Sequence, residues 1–306
     1  MDMKLDIQRL VAAVHTPMHP DGSVNTAAVP DHVARLVDEG VGGLFVCGST
    51  GEFPSLTVEE RQGVAEAYRA AAPGGVPVIV HVGHNCIRDA GALAAHASGI
   101  GATAIAAAPP SYFKPDDVPA TVACCAKISA AAPDMPFFYY HIPALTGVDL
   151  PLADFLGLAG ERIPALAGVK YTNEDMSVFL DCLRTYGEDY LLMSGRDQML
   201  LSAIASGARA AVGTTYNYAA GLYLRMWDAF ERGDMETARL CQHRSVLFIK
   251  LLRKYGGLAA SKAFMKLIGM DCGPLRLPFL PLSDAEEQAL KDELTRIGFF
   301  DWRNGA

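Results

Sequence analysis

No Cys-x-x-Cys pair, no His-Glu-x-x-His and no Gly-x-Gly-x-x-Gly occurs in this chain. The usual spellings of a zinc centre and of a dinucleotide-binding turn are therefore missing. No apolar run approaches the roughly eighteen residues that a membrane span needs. Positive charge is also scarce: 26 basic residues stand against 34 acidic ones, a formal net charge of −8. Nucleic acid attracts clustered Lys and Arg, and no basic stripe is present. The opening stretch, MDMKLDIQRLVAAVHTP, has no basic segment followed by a long apolar one, so no signal peptide is expected. The seven cysteines, at 47, 86, 124, 125, 182, 241 and 272, are odd in number and unpaired in spacing. Free thiols in a reducing, cytoplasmic setting are the expectation.

What the chain does have is apolar residues. They make up 51% of its 306 positions, with 20% charged, which suits a large core. Short apolar runs alternate with longer amphipathic ones. The expected strands are 10–16, 43–48, 76–83, 102–109, 135–142, 166–172, 190–195 and 208–215. Each is apolar throughout rather than alternating, as strands covered on both faces are. Between them lie helix patterns with start and stop signals: Thr57 with Glu60 spells a capping box, and Pro73, Pro133 and Gly207 stand where helices should end. Eight such units predict an α/β fold, a (β/α)8 TIM barrel over 1–232. An open doubly wound sheet is the rival, without a Gly-rich fingerprint after its first strand. From 233 to 306 the strands cease. Three helical patterns, each followed by Gly, predict a C-terminal extension packed on the barrel, since no polar linker precedes them.

In such barrels the chemistry sits at the carboxyl ends of the strands. Those ends carry HTP, GSTGE, GHN, PPSYF, Tyr140 with His141, Lys170, SGRDQ and GTTYN. Lys170 is the one lysine among them. An amine in an apolar mouth loses hydration, its pKa falls, and its lone pair becomes available to a carbonyl. The alternative is an ion pair with Glu174 or Asp175. Tyr140, near the end of the neighbouring strand, is either a proton carrier or an ordinary core aromatic. Tyr139 should point to the opposite face and pack. Ser49 and Thr50, with two glycines, form either an anion nest or a plain tight turn. His81, His84 and Cys86 are close enough to raise a metal, but a zinc enzyme needs three or four converging ligands, so structural roles are favoured. Cys47 is read as packing.

GSTGE, FFYYHIPALTGV and GVKYT, in that order and spacing, resemble the pyruvate-dependent class I aldolase family that contains dihydrodipicolinate synthases and sialic acid lyases. The resemblance runs from AVHTP to GMDCGPLRLPFLPLS. It implies a cofactor-free, metal-free, homotetrameric barrel enzyme acting on a small 2-keto acid and pyruvate. Within it, Lys170 matches the lysine that forms an imine with the keto carbon, and Tyr140 the proton-shuttling tyrosine. Ser49 and Thr50 match the pair that grips the pyruvate carboxylate, and Tyr112 an aromatic reached from a neighbouring subunit.

Synthases in this family carry an Arg shortly after the tyrosine; here the stretch is Pro143, Ala144, Leu145, Thr146, with no cation. YYHIPALTGV, Thr172, Gly195, Asp197 and VGTTYNY instead resemble the sialic acid lyases. That branch implies cleavage of N-acetylneuraminate to N-acetylmannosamine and pyruvate, with Asp197, Gln198 and Thr214 on the hydroxylated tail. Two positions depart from its pattern: Gln198 where a Glu is usual, and Thr214 where Ser is common. The alternatives are the same chemistry on a different 2-keto acid, such as a keto-deoxy sugar acid, 4-hydroxy-2-oxoglutarate or the substrate of a dihydrodipicolinate synthase-like enzyme, and, from another class, a non-catalytic ligand-sensing relative, which would be expected to lack the Lys or the Tyr.

Overall fold

Eight parallel strands pair in chain order, and the first pairs with the last, so the sheet closes into a barrel in the computed structural model, which describes residues 5, 7 and 9–305. They are β1 Arg9–Ala13, β2 Gly43–Val46, β3 Val78–His81, β4 Ala104–Ala107, β5 Phe137–His141, β6 Leu166–Tyr171, β7 Leu191–Ser194 and β8 Ala210–Gly213. All eight are shorter than the apolar runs that predicted them. A residue joins the ladder only where a neighbouring strand stands at its height, so the ends of each run become loops, and those after the carboxyl ends form the mouth.

Inside the barrel lie Val11, Phe45, Ile79, Phe138, Met193 and Val212. Leu10, Leu44, Val80, Phe137, Leu192 and Ala211 face outward under the helices. The pleat sends successive residues to opposite faces, which is why every strand had to be apolar on both. Tyr139 follows the rule: it faces outward and stacks on Phe155 with ring centroids 4.0 Å apart, as expected.

The helices between strands are α1 Val29–Asp38, α2 Val58–Ala71, α3 Ile87–Gly99, α4 Val118–Ser129, a short α5 Pro143–Thr146, α6 Leu152–Arg162, α7 Met176–Tyr186, α8 Leu200–Ser206 and α9 Tyr216–Glu231. The Thr57–Glu60 capping box is formed on α2. Then come α10 Met235–Lys254, α11 Leu258–Leu267 and α12 Asp284–Arg296, the three expected, plus a short α13 Phe299–Trp302. Gly256, Gly269 and Gly298, just past the three long helices, all have φ between 75° and 89°. A left-handed residue there satisfies the last carbonyls at no steric cost, so glycine is used. The extension packs against the barrel through aromatic contacts such as Tyr218–Phe264, with centroids 4.8 Å apart. Among the described residues no helix is long and apolar enough to cross a membrane.

Candidate active site

Strand pairing puts Lys170 of β6 in register with Tyr140 of β5, both near the carboxyl end of the barrel. Gly168 makes this possible: a side chain there would collide with the Leu191 carbonyl of β7. Lys170 is only 4% exposed. Its Nζ lies 3.9 Å from the centroid of the Phe45 ring and 4.1 Å from that of Tyr140. The ion-pair alternative does not form. Glu174 pairs instead with Arg196 and Arg253, and Asp175 caps α7 by accepting from Ser177 N and Val178 N. Burial pushes the Lys170 ammonium below the ordinary 10.5, opposed in part by Tyr140 and Asp197. Part of the population is then a free amine with a lone pair. The other buried lysine among the described residues, Lys262, is held by Glu52 at 2.8 Å and does not line the cavity that Lys170 enters.

Across the mouth, residues 47–52 turn sharply after β2. Ser49 Oγ is 3.5 Å from the Tyr140 hydroxyl, and Thr50 Oγ1 is 2.6 Å from Thr214 Oγ1. The turn is flanked by two non-glycine residues with positive φ, Cys47 at 56° and Glu52 at 57°. Each such residue costs about 1–2 kcal/mol, so surrounding contacts must hold them. Thr16 Oγ1 donates to Gly51 O at 2.8 Å, and His81 Nδ1 lies 3.1 Å from Cys47 O. Because His81 Nε2 accepts from Ala108 N at 3.2 Å, Nδ1 is the protonated nitrogen and donates. Burial holds this imidazole neutral, well below 6.5. His81 is thus a strut for this turn and has no lone pair left for a metal. His84, Cys86 and Asp89 bring three ligand atoms within 4.8 Å of one another on the surface after β3. There, His84 Nδ1 already accepts from Cys86 N at 2.9 Å.

After β7, Asp197 is buried and accepts from Thr215 N at 3.0 Å and Thr215 Oγ1 at 2.6 Å. Burial raises its pKa while these bonds oppose the rise. Gly195 and Gly213 leave room: a side chain on the first would strike Thr172 Oγ1, and on the second the Asp197 carboxylate. Gln198 donates to Glu174 at 3.4 Å on the rim.

Lys170, Tyr140, Ser49, Thr50, Thr172, Gly195, Asp197, Gln198 and Thr214 all line one cavity of about 410 Å³. Tyr112 does not. It is 79% exposed, on a loop whose amides donate to Asn85 Oδ1. That loop borders a second cavity, of about 330 Å³, which shares Ser49 and Tyr140 with the first.

Several lining residues escaped the sequence reading. Ile249, Leu252, Arg253, Leu258 and Phe279 come from the extension and close one side of the cavity. Thr215, next to the expected Thr214, holds Asp197, and Gln242 of α10 donates to Asp197 O at 3.3 Å. One signal was available: Lys262 sits on the face of α11 that also carries Ala259 and Ala263, an odd place for a charge.

The chain matches the dihydrodipicolinate synthetase family over residues 6–297. It is 37% identical to N-acetylneuraminate lyase of Gallus gallus over 310 residues, covering all of both chains. Proteus mirabilis N-acetylneuraminate lyase superposes with a TM-score of 0.93 at 38% identity, over 97% of this chain and 99% of that one. A Ruminococcus gnavus sialic acid aldolase, described as a catalytic lysine mutant, superposes with a TM-score of 0.90 at 30% identity over 96% of each chain.

Proposed function

This chain belongs to the dihydrodipicolinate synthetase family, and from that premise we propose that it is a Schiff-base lyase cleaving N-acetylneuraminate to N-acetylmannosamine and pyruvate. The observation that carries the reading is the buried Lys170 amine, in register with Tyr140 and in no ion pair with a carboxylate among the described residues. The relatives named above support the choice of substrate.

Lys170 attacks the C2 carbonyl of the open-chain sugar acid, water leaves, and an iminium forms. Tyr140 takes the proton from the C4 hydroxyl, and its 3.5 Å approach to Ser49 Oγ offers a path for relay. The C3–C4 bond breaks, its electron pair moves into the iminium to give an enamine, and the aldehyde product departs. A proton returns to C3, and water hydrolyses the imine to free pyruvate and Lys170. Ser49 and Thr50 hold the carboxylate, Thr172 and Gly195 border the chain, and Asp197, Gln198 and Thr214 face the hydroxyls. The iminium is itself the electron sink, so the route draws on no cofactor or metal.

We assign Tyr112 to a neighbouring copy's site in a homotetramer. Its exposure, with Phe113 beside it at 86%, supports burial against another chain, which light scattering on the purified protein tests. Seven free thiols support a cytoplasmic location. Gln198 favours a second reading, the same chemistry on a shorter 2-keto acid. Two measurements test the whole. Pyruvate plus borohydride should add one reduced pyruvyl group to the peptide containing Lys170, and labelling elsewhere or nowhere ends the mechanism. Pyruvate release from N-acetylneuraminate should exceed that from 2-keto-3-deoxygluconate and 4-hydroxy-2-oxoglutarate; the reverse order moves the assignment to the shorter acid.

A further inference from the structure

We propose that Lys262, on the C-terminal extension, is a positioning residue for the keto-acid cradle, acting through Glu52. The inference rests on the reading that Ser49 and Thr50 hold the substrate carboxylate.

Glu52 closes the cradle turn in a left-handed conformation, two residues after Thr50. Its side chain is buried, with one carboxylate oxygen 2.8 Å from Lys262 Nζ and the other accepting from Arg276 N at 3.0 Å. Side-chain exposures are 5% for Lys262 and 0% for Glu52. Lys262 Nζ also donates to Thr16 O at 3.2 Å and Pro274 O at 2.7 Å. One ammonium therefore joins the loop after β1, the turn after β2 and the segment after α11. A charge pair this deep contributes little net stability compared with apolar packing, but it fixes geometry, because neither ion tolerates losing the other.

What it fixes is the site. Thr16, whose carbonyl takes the ammonium, uses its own hydroxyl to hold Gly51 O. Gly51, through Thr16, and Glu52 directly are thus both tied to the same lysine. With Lys262 gone, an unpaired buried carboxylate would draw water or twist toward solvent, and the strained turn would carry Ser49 and Thr50 with it. Lys170 and Tyr140 stand on β6 and β5 and would stay in place. The expected signature is weakened capture of the keto acid with little change in chemistry once it is bound.

The test is a double-mutant cycle read by borohydride trapping of pyruvate as a function of its concentration. Lys262→Met should raise the half-saturating pyruvate concentration by about 30-fold and Glu52→Gln by about 10-fold, with the trapping rate at saturation within about 3-fold of wild type. The double variant should resemble Glu52→Gln rather than show the multiplied effect, because the stranded charge is gone. Lys266→Gln, which removes an exposed pair with Glu287 on the same helix, should leave half-saturation unchanged. If Lys262→Met does not fold, Glu52→Gln and the double variant decide, since Lys262 keeps two carbonyl partners in the former. Unchanged half-saturation in Glu52→Gln, or multiplicative effects in the cycle, overturns the proposal. Wild type that traps no pyruvate ends the lyase reading itself, and this inference with it.

Discussion

The two ends of the cavity are built differently. At the proposed keto-acid end, the turn after β2 is held by buried or part-buried contacts: Thr50 to Thr214 at 2.6 Å, Thr16 to Gly51 at 2.8 Å, and Glu52 to Lys262 at 2.8 Å. At the far end, after β7, Asp197 is held that way. Gln198, Arg196 and Arg253 share the exposed Glu174 at 3.4, 3.9 and 3.5 Å. Long, half-exposed pairs are screened by water and contribute little. Under the proposed function the comparison is a division of labour. Any 2-keto acid presents the same carboxylate and carbonyl, so the end proposed to meet them can be rigid; the tail differs between substrates, and the wall proposed to meet it is loosely tied.

The sharpest break would come at the rigid end. Lys170→Met removes the proposed nucleophile from an apolar site, so lyase turnover should fall by at least about 10⁴-fold while the fold survives, as measured by pyruvate release and circular dichroism. The pH dependence of imine formation sharpens the same point. Because burial lowers the Lys170 pKa, the free-amine fraction should rise to its plateau with a midpoint below 10.5. Linkage has the matching sign: the folded state disfavours the ammonium, so Lys170 lowers stability at acid pH and relieves that penalty as pH rises toward the unfolded value. A trapping rate still climbing past 10.5 would show a fully hydrated lysine.

Tyr140→Phe comes next, with a turnover loss of roughly 10²- to 10⁴-fold. The ring, and with it the packing against Phe45 at 5.6 Å, is retained. Near-full activity in that variant removes the phenol from the proton path.

Moving to the far end, Asp197→Ala strands the Thr215 amide and hydroxyl and removes a partner for the tail. Loss of kcat/KM for N-acetylneuraminate should be on the order of 1–3 kcal/mol, and a short keto acid should be affected much less. A thermal shift measured alongside separates the stranded donors from the lost substrate contact. If both substrates suffer equally, Asp197 serves the scaffold alone.

Gln198→Glu should have the smallest effect, within about 3-fold, and should lean toward better cleavage of the sialic acid. It introduces a carboxylate beside Glu174, but Arg196 and Arg253 are near enough to offset the repulsion. Kinetics at low and high salt check this, since a change of more than tenfold would mean the far wall is as tightly specified as the near one.

Much of the near end was legible before folding. Lys170 and Tyr140 lie on strands whose apolar runs announce themselves, and a period of two assigns inward and outward faces, so Tyr140 separates from Tyr139 on pattern alone. GSTGE declares a tight turn by its glycines. The far end was less legible because loops have no period. Thr214 and Thr215 are adjacent, yet the first meets Thr50 and the second holds Asp197, and no propensity distinguishes them. The alternative pairing of Lys170 with Glu174 or Asp175 failed for a local reason: Asp175 is consumed as the cap of α7, and Glu174 faces the rim.

By itself, then, the sequence determined the order of strands and helices, the barrel they make, and the lysine and tyrosine at the ends of β6 and β5. These follow from local periodicity and from the need to bury apolar faces. The tertiary structure alone decided how the extension enters the site. Lys262 reaches Thr16 across 246 positions, Arg276 reaches Glu52 across 224, and Leu258 and Phe279 close the cavity wall. Such contacts carry no period and no spacing, because they exist only once closure of the barrel sets the last helices against the loops of the first strands.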